Sequence, residues 1–206
     1  MQSDIVSLRP LYEFIKSDPD HKGLKSGSPE HWRYGSKAGE ICAGIAPQQG
    51  FYLWGRYEGN GLWQNIYLGK AGFGMTTHLH ARILEELKDE RACIWRAYVS
   101  EETLTEAGKK NHGAMWQAYQ FQMARALKKA GSTHIAWVAD PDNLDSAAVN
   151  NIESDLIETL NPRANLSHPV PTKTSQEHTK RIIAEFRSVI HAHRNDGFVV
   201  ADVEAD

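Results

Sequence analysis

Two short segments rich in aromatic and aliphatic residues, 50–57 and 64–68, constrain the fold of this chain more than any other feature. Both carry the bulky side chains that are typical of β-strands. The sequence Glu-Gly-Asn-Gly-Leu between them is a turn signal, because glycine and asparagine tolerate the backbone conformations that tight turns need. Two strands connected in this way form an antiparallel hairpin. The chain is therefore predicted to contain an antiparallel sheet.

Further elements are predicted on both sides of this hairpin. Residues 17–40 are rich in glycine, serine, proline and aspartate without a clear period, and are predicted to form a connector. The fold class that follows is α/β of the α+β type, with a small, largely antiparallel central sheet flanked by helices. Apolar patterns predict helices over residues 4–17, 76–89, 114–130, 149–160 and 175–193, and strands over 93–99 and 134–139.

The length of 206 residues suits one structural domain with a proper core. We expect three parts within it. Residues 1–46 form an N-terminal helix and connector, and residues 47–170 form a core with a strand and helix inserted at about 91–132. Residues 171–206 form a C-terminal helix and an acidic tail, so that both ends are extensions of the core.

Composition favours a reduced, cytoplasmic protein without a membrane partner. The hydrophobic fraction is 41% and the charged fraction 24%, which are average for a globular protein. The longest apolar stretches are far shorter than the ~20 residues of a membrane span, and the N-terminus lacks the pattern of a secretory signal. The two cysteines, Cys42 and Cys93, show no metal-ligand spacing.

Charge is distributed unevenly around a net value of −3. Residues 195–206 hold four acidic and no basic residues, whereas residues 160–194 hold six Lys or Arg against two Glu. A basic stretch beside an acidic tail is compatible with DNA binding, although a solvated charged surface is the commoner explanation.

Glu153 is the strongest candidate for a functional residue. In a helix over residues 149–160 it falls at the centre of an apolar stripe with Leu156 and Leu160, while Asp155 is expected to point the other way. A carboxylate on a buried face is costly unless it is paired or binds a metal. The alternative to a metal ligand is a structural pair with an arginine.

The chain carries an ordered set of short motifs around this helix. They resemble the GIY-YIG nuclease superfamily over about residues 47–167, and the size and helical extensions are most similar to its restriction-endonuclease branch. The matching residues are Gly50-Phe51-Tyr52, then Tyr67-Leu68-Gly69 followed by Lys70 and Ala71, then Arg82, and finally Glu153 followed by Pro162 and Asn165.

The resemblance implies a metal-dependent endonuclease that hydrolyses DNA phosphodiester bonds. It implies that Tyr52 acts as the general base on water or positions it, that Tyr67 assists, and that Arg82 grips the scissile phosphate. A tyrosine with the ordinary pKa near 10 is a poor base, so we expect Lys70 and Arg82 to lower the pKa of Tyr52. In the alternative interpretation, both tyrosines only fill a sheet face and Arg82 forms an exposed ion pair with Glu86.

The same resemblance implies the cofactor and the partner. Glu153 would be the single protein ligand of Mg²⁺ or Mn²⁺, since Mg²⁺ takes few protein oxygens and keeps several waters. Asn165 would brace the loop after Pro162. The partner would be double-stranded DNA, and a homodimer would cut both strands. No nucleotide cofactor is expected, because the loop over residues 69–74 lacks the Gly-Lys-Ser/Thr of a phosphate loop.

Two departures from the family pattern leave alternatives open. The loop between Gly69 and Arg82 is longer than in the shortest members, and Glu86 stands where some restriction-branch members have a histidine. One alternative is a structure-specific repair or mobile-element nuclease. Another is a non-catalytic nucleic-acid-binding module, although the presence of all four site side chains argues against it.

Overall fold

A four-stranded antiparallel sheet forms the centre of the computed structural model of the chain, which confirms the predicted α+β fold class. The strands are β1 (Gln2–Ser7), β2 (Gly50–Tyr57), β3 (Trp63–Ala71) and β4 (His134–Ala139), in the sheet order β1-β4-β2-β3. The helices are α1 (Arg9–Lys16), α2 (Pro29–Cys42), α3 (Leu79–Lys88), α4 (Ser146–Leu160) and α5 (Gln176–Ala192). The structure describes residues 1–17, 29–73, 77–88, 132–140, 142, 144–162, 165, 176–196 and 198.

The predicted hairpin places β2 beside β3. Across its turn the Glu58 N–H donates to the Leu62 carbonyl at 2.8 Å, and Gly61 takes a positive φ of 74° that favours glycine. In the register of the hairpin, Tyr52 lies opposite Gly69. β2 is buried along its whole length, while β3 has a neighbour on one side only and is one of the two edge strands.

The two faces of the sheet are covered by different helices. On one face, Tyr52, Trp54 and Trp137 pack with side chains of α1, α2 and α3. On the other, Phe51 and Leu53 pack with side chains of α4 and α5. This division follows from the strand period, since alternate side chains point to opposite faces. It decides which of the predicted site residues can meet.

The helix predicted over residues 4–17 is wrong in its first part. Gln2–Ser7 form strand β1, which pairs with β4, and α1 begins at Arg9. Ile5 has helical spacing from Leu8 and Leu11, but the structure buries Ile5 on the α4–α5 face and the two leucines on the α1–α3 face. One helical stripe cannot serve both faces of a sheet, so the chain changes from strand to helix between them.

The connector predicted over residues 17–40 contains helix α2, so that part of the prediction is also wrong. Tyr34, Ala38 and Cys42 are all buried and are spaced four residues apart, which is one face of a helix. The glycine content of the segment lowers its helix propensity and conceals this period. Gly35 lies against α3, since a Cβ there would come within 3.3 Å of Lys88 Cε.

The remaining described helices lie where their periods predict them. α4 begins after Asp145, whose side chain accepts the Ala148 N–H at 2.8 Å, and it ends at Asn161 with a left-handed φ of 45°. The strand predicted over 93–99 and the helix over 114–130 lie outside the described residues. Within the described residues, no helix has the length and apolar character needed to cross a membrane.

Candidate active site

The structure brings Tyr52, Tyr67 and Arg82 together on the α1–α3 face of the hairpin. The two tyrosine rings lie on neighbouring strands with their centroids 6.4 Å apart. Glu86, one turn after Arg82 on α3, connects this group. Its Oε1 accepts the Tyr52 hydroxyl at 2.5 Å and lies 3.1 Å from Arg82 Nε.

The phenol of Tyr52 is enclosed by its surroundings. Its side chain belongs to the core, and the residue is only 1% exposed. Gly69 makes this position possible, because a Cβ added there would lie 2.4 Å from the Tyr52 hydroxyl oxygen. The glycine of the Tyr67-Leu68-Gly69 motif is therefore required by the close approach of the tyrosine on the neighbouring strand.

The expectation that cations lower the pKa of Tyr52 is wrong. Burial raises this pKa well above its ordinary value, and the Glu86 carboxylate raises it further, against a smaller lowering by Arg82. Lys70 is absent from this environment because its ammonium group binds Glu153 of α4, which packs on the other face of the sheet. The phenol stays protonated and acts as a hydrogen-bond donor.

Glu86 is a buried carboxylate that the sequence interpretation treated as an exposed ion-pair partner. It is 6% exposed, and burial raises its pKa to about 6 even though Tyr52 and Arg82 favour the ionised form. The signal for its position was present in the sequence. Glu86 follows Leu79 by seven residues and Ile83 by three, which places it on the apolar face of α3.

Glu153 lies nearer the surface than its helical period predicts. Its side chain is 26% exposed, and its Oε2 accepts from Lys70 Nζ at 2.8 Å. The same ammonium donates to Asn150 at 2.6 Å. The acid that α4 buries is Asp155, which accepts from Thr179 of α5 at 3.2 Å. The predicted burial of Glu153 and exposure of Asp155 are therefore wrong, because α4 packs against both the sheet and α5.

Asn165 binds the outer edge of β3. The Leu68 N–H donates to its Oδ1 at 2.8 Å, and its Nδ2 donates to the Leu68 carbonyl at 3.0 Å. A side-chain amide that pairs with both backbone groups takes the place of a neighbouring strand. It fixes the backbone between Tyr67 and Gly69, where the two tyrosines approach each other.

The predicted site residues thus form two groups, one on each face of the sheet, and the edge strand β3 contributes a residue to each. Tyr52, Tyr67 and Arg82 form one group on the α1–α3 face. Lys70 and Glu153 form the other on the α4–α5 face. Tyr67 and Lys70 are three residues apart on β3 and point to opposite faces, so the two groups lie on either side of this strand.

A third group, which the sequence interpretation missed, has the composition of a metal site. Asp140, Asp142 and His178 place one ligand atom each within 4.8 Å of one another. Asp140 is fully buried after β4 and binds His178 Nε2. Asp142 Oδ2 lies 3.6 Å from His178 Nδ1 and 3.8 Å from Arg181 Nη1. The two aspartates follow a buried strand in the sequence, but no local pattern brings His178 to them.

The site has to be interpreted from its own residues. No protein-family model, curated protein or solved structure matches the chain. The geometry offers a guanidinium anchored by a buried acid, a half-buried carboxylate paired with an ammonium group, and an Asp-Asp-His cluster. The first suits an anionic ligand, and the other two could hold a divalent cation.

Proposed function

We propose that the protein is a metal-dependent endonuclease that hydrolyses phosphodiester bonds of double-stranded DNA, similar to the restriction branch of the GIY-YIG nucleases. The observation that carries the proposal is the junction of the two groups along β3. A basic side chain for phosphate lies on one face of this edge, and a carboxylate for metal lies on the other. The elements agree with the resemblance, since Tyr52 and Tyr67 are on adjacent strands and Arg82 and Glu153 are on helices.

Arg82 is the residue that would bind the scissile phosphate. Its side chain is 36% exposed, so it is anchored at Glu86 yet reachable from solvent. A guanidinium carries five N–H donors in a planar fork that matches two phosphate oxygens. Although burial lowers its pKa, the Glu86 and Tyr52 side chains raise it above the ordinary value, so the group stays charged at every working pH.

Glu153 is the residue that would hold the divalent cation. A single accessible carboxylate suits Mg²⁺, which is bound through one or two carboxylates and keeps several waters. A bound cation would supply a Lewis acid for the phosphate and a more acidic water for the attack. Lys70 pairs with Glu153 Oε2 at 2.8 Å, so a cation held by this carboxylate would compete with the ammonium group, which would then be available to the phosphate backbone.

The test is cleavage of mixed duplex DNA with Mg²⁺ by the wild type, Glu153→Gln and Glu158→Gln. Glu158 is an exposed acid on the same helix and serves as the matched control. We expect the wild type and the control to cut. The Glu153→Gln variant should lose on the order of 10³-fold in rate, which is what loss of a charge-stabilising group costs.

The outcomes separate the alternatives. Duplex binding without cleavage by the wild type would favour a non-catalytic binding module. Cleavage that survives Glu153→Gln would place the metal elsewhere. Preference for junctions or flaps over simple duplexes would favour a repair or mobile-element nuclease, whereas cuts at one sequence would favour a restriction enzyme.

A further inference from the structure

We propose that Tyr52 and Glu86 are positioning residues that hold the Arg82 guanidinium for the phosphate, and that Tyr52 does not take a proton from water. This inference rests on the proposed function, because it assumes that Arg82 binds the phosphate. Three groups form a continuous chain from the core to the surface. The Tyr52 hydroxyl donates to Glu86 Oε1, and the same oxygen pairs with Arg82 Nε at 3.1 Å.

The first argument is the enclosure of Tyr52. Its hydroxyl lies between Glu86 and the backbone of Gly69, and the residue is buried. A general base has to come within hydrogen-bond reach of the water that it activates. A hydroxyl in this position is committed to donating to the carboxylate, and its high pKa keeps the proton on the phenol.

The second argument is the way in which Arg82 is held. Glu86 pairs with its Nε on the buried side, while Glu85 lies 3.1 Å from Nη1 and is exposed. Exposed ion pairs such as Glu85–Arg82 contribute little free energy, so the buried contact with Glu86 determines the orientation of the guanidinium. Tyr52 in turn fixes the carboxylate oxygen that Arg82 contacts. Preorganised donors of this kind cost no rearrangement when the phosphate binds.

The pH dependence of this arrangement follows from the groups around Glu86. With a pKa of about 6, Glu86 is ionised above that pH and holds Arg82, and it is neutral below it. On α2, the Tyr34 hydroxyl donates to the Leu87 carbonyl at 2.7 Å. Among the described residues, the other groups that shift the pKa of Glu86 or Tyr52 are Trp54 on β2, Tyr67 on β3, and Arg82 and Glu85 on α3.

Tyr52→Phe separates positioning from base catalysis. Cleavage should fall at low pH, where Glu86 becomes neutral and releases Arg82, and we call this fall the acid limb of the profile. Loss of the Tyr52 hydroxyl removes a donor that lowers the pKa of Glu86, so the acid limb should move to higher pH. Above that limb the variant should keep at least about a tenth of the wild-type rate. Loss of a general base would instead lower the rate by roughly 10²–10⁴-fold at every pH.

The experiment is a cleavage profile on duplex DNA with Mg²⁺ from about pH 5 to about pH 9 for the wild type, Tyr52→Phe, Arg82→Ala, Glu86→Gln and Glu85→Gln. Duplex binding is followed in parallel by fluorescence anisotropy with Ca²⁺ in place of Mg²⁺. Unfolding midpoints verify that each variant is folded. We expect Glu86→Gln to bind DNA about tenfold more weakly than the wild type and its cleavage profile to lack the acid limb. Glu85→Gln should resemble the wild type in both measurements.

Each result has one meaning. A folded Tyr52→Phe protein that binds DNA but cuts at no pH would overturn the inference and leave the nuclease standing. Wild-type DNA binding by Arg82→Ala would also overturn it, since Arg82 would then not hold the phosphate. A wild type that neither cuts nor binds duplex DNA would overturn both the inference and the proposed function.

Discussion

Glu86 and Glu153 both pair with a cation beside the β2–β3 hairpin, but their environments differ. Glu86 is enclosed between α3 and the sheet, with Tyr52 and Arg82 on one of its oxygens. Glu153 is partly open to solvent and pairs with Lys70. A buried carboxylate cannot exchange its partners without a large desolvation cost, whereas an accessible one can exchange an ammonium group for a hydrated cation. Under the proposed function, burial suits Glu86 to positioning and access suits Glu153 to metal binding.

The largest effect that follows from this comparison is in the pH dependence of stability. The pKa of Glu86 is about 6 in the folded protein, against an ordinary 4.5. Between these values the folded state binds more protons than the unfolded state, so stability is lost as pH rises through this window. We expect Glu86→Gln to gain about 2 kcal/mol relative to the wild type between about pH 4 and about pH 7.5.

Urea unfolding at a series of pH values measures this gain. The exposed neighbour variant Glu85→Gln is the control for a charge removed from the same turn of α3. Parallel stability profiles for the wild type and Glu86→Gln would show that Glu86 is not desolvated in solution. The contrast between a buried Glu86 and an accessible Glu153 would then not hold.

Local patterns predicted most of the fold. The Glu-Gly-Asn-Gly-Leu turn and its flanking strands need only neighbouring residues, and so does α3, whose buried Leu79, Ile83 and Leu87 follow one stripe. The errors lie where contacts between residues far apart in the sequence determine the secondary structure. Ile5 joins a strand because β4, more than a hundred residues later, supplies its partner Ala136.

The candidate site was less predictable, because burial on a helix depends on how many neighbours the helix has. α4 contacts both β3 and α5, so its buried face extends to Asp155 and leaves Glu153 at the margin. The contact between Lys70 and Glu153 spans 83 residues and has no local signal. Glu86 could have been found, since a carboxylate on the apolar face of α3 is visible in the sequence.

Lys70→Ala tests whether the Glu153 carboxylate can exchange its ammonium partner for a cation. If the ammonium group and the cation share the carboxylate oxygen, removing the ammonium group should lower the Mg²⁺ concentration for half-maximal cleavage. A partly exposed ion pair is worth roughly 1 kcal/mol, which corresponds to about fivefold in metal affinity. Binding of Mn²⁺ followed by electron paramagnetic resonance gives the same quantity without DNA.

Lys37→Ala is the matched control for Lys70→Ala, because Lys37 also pairs with a glutamate, Glu40, but on the exposed face of α2. It should leave the Mg²⁺ requirement unchanged. An unchanged or higher requirement in Lys70→Ala would show that the cation does not compete with Lys70. Glu153 would then be a structural partner of the lysine, as Glu86 is of Arg82.

The smallest effect is expected at the Asp140–Asp142–His178 group, which is the other set of described residues with metal-ligand character. Asp142 is 47% exposed and already lies near His178 and Arg181, so its charge has partners without a metal. Asp142→Asn should change the Mg²⁺ requirement and the cleavage rate by less than about twofold, since an exposed ion pair contributes little. The same metal titration as for Lys70→Ala measures it. A large increase in the Mg²⁺ requirement, with Glu153→Gln still active, would place the cation at the end of β4, and the accessible carboxylate on α4 would lose its assigned role.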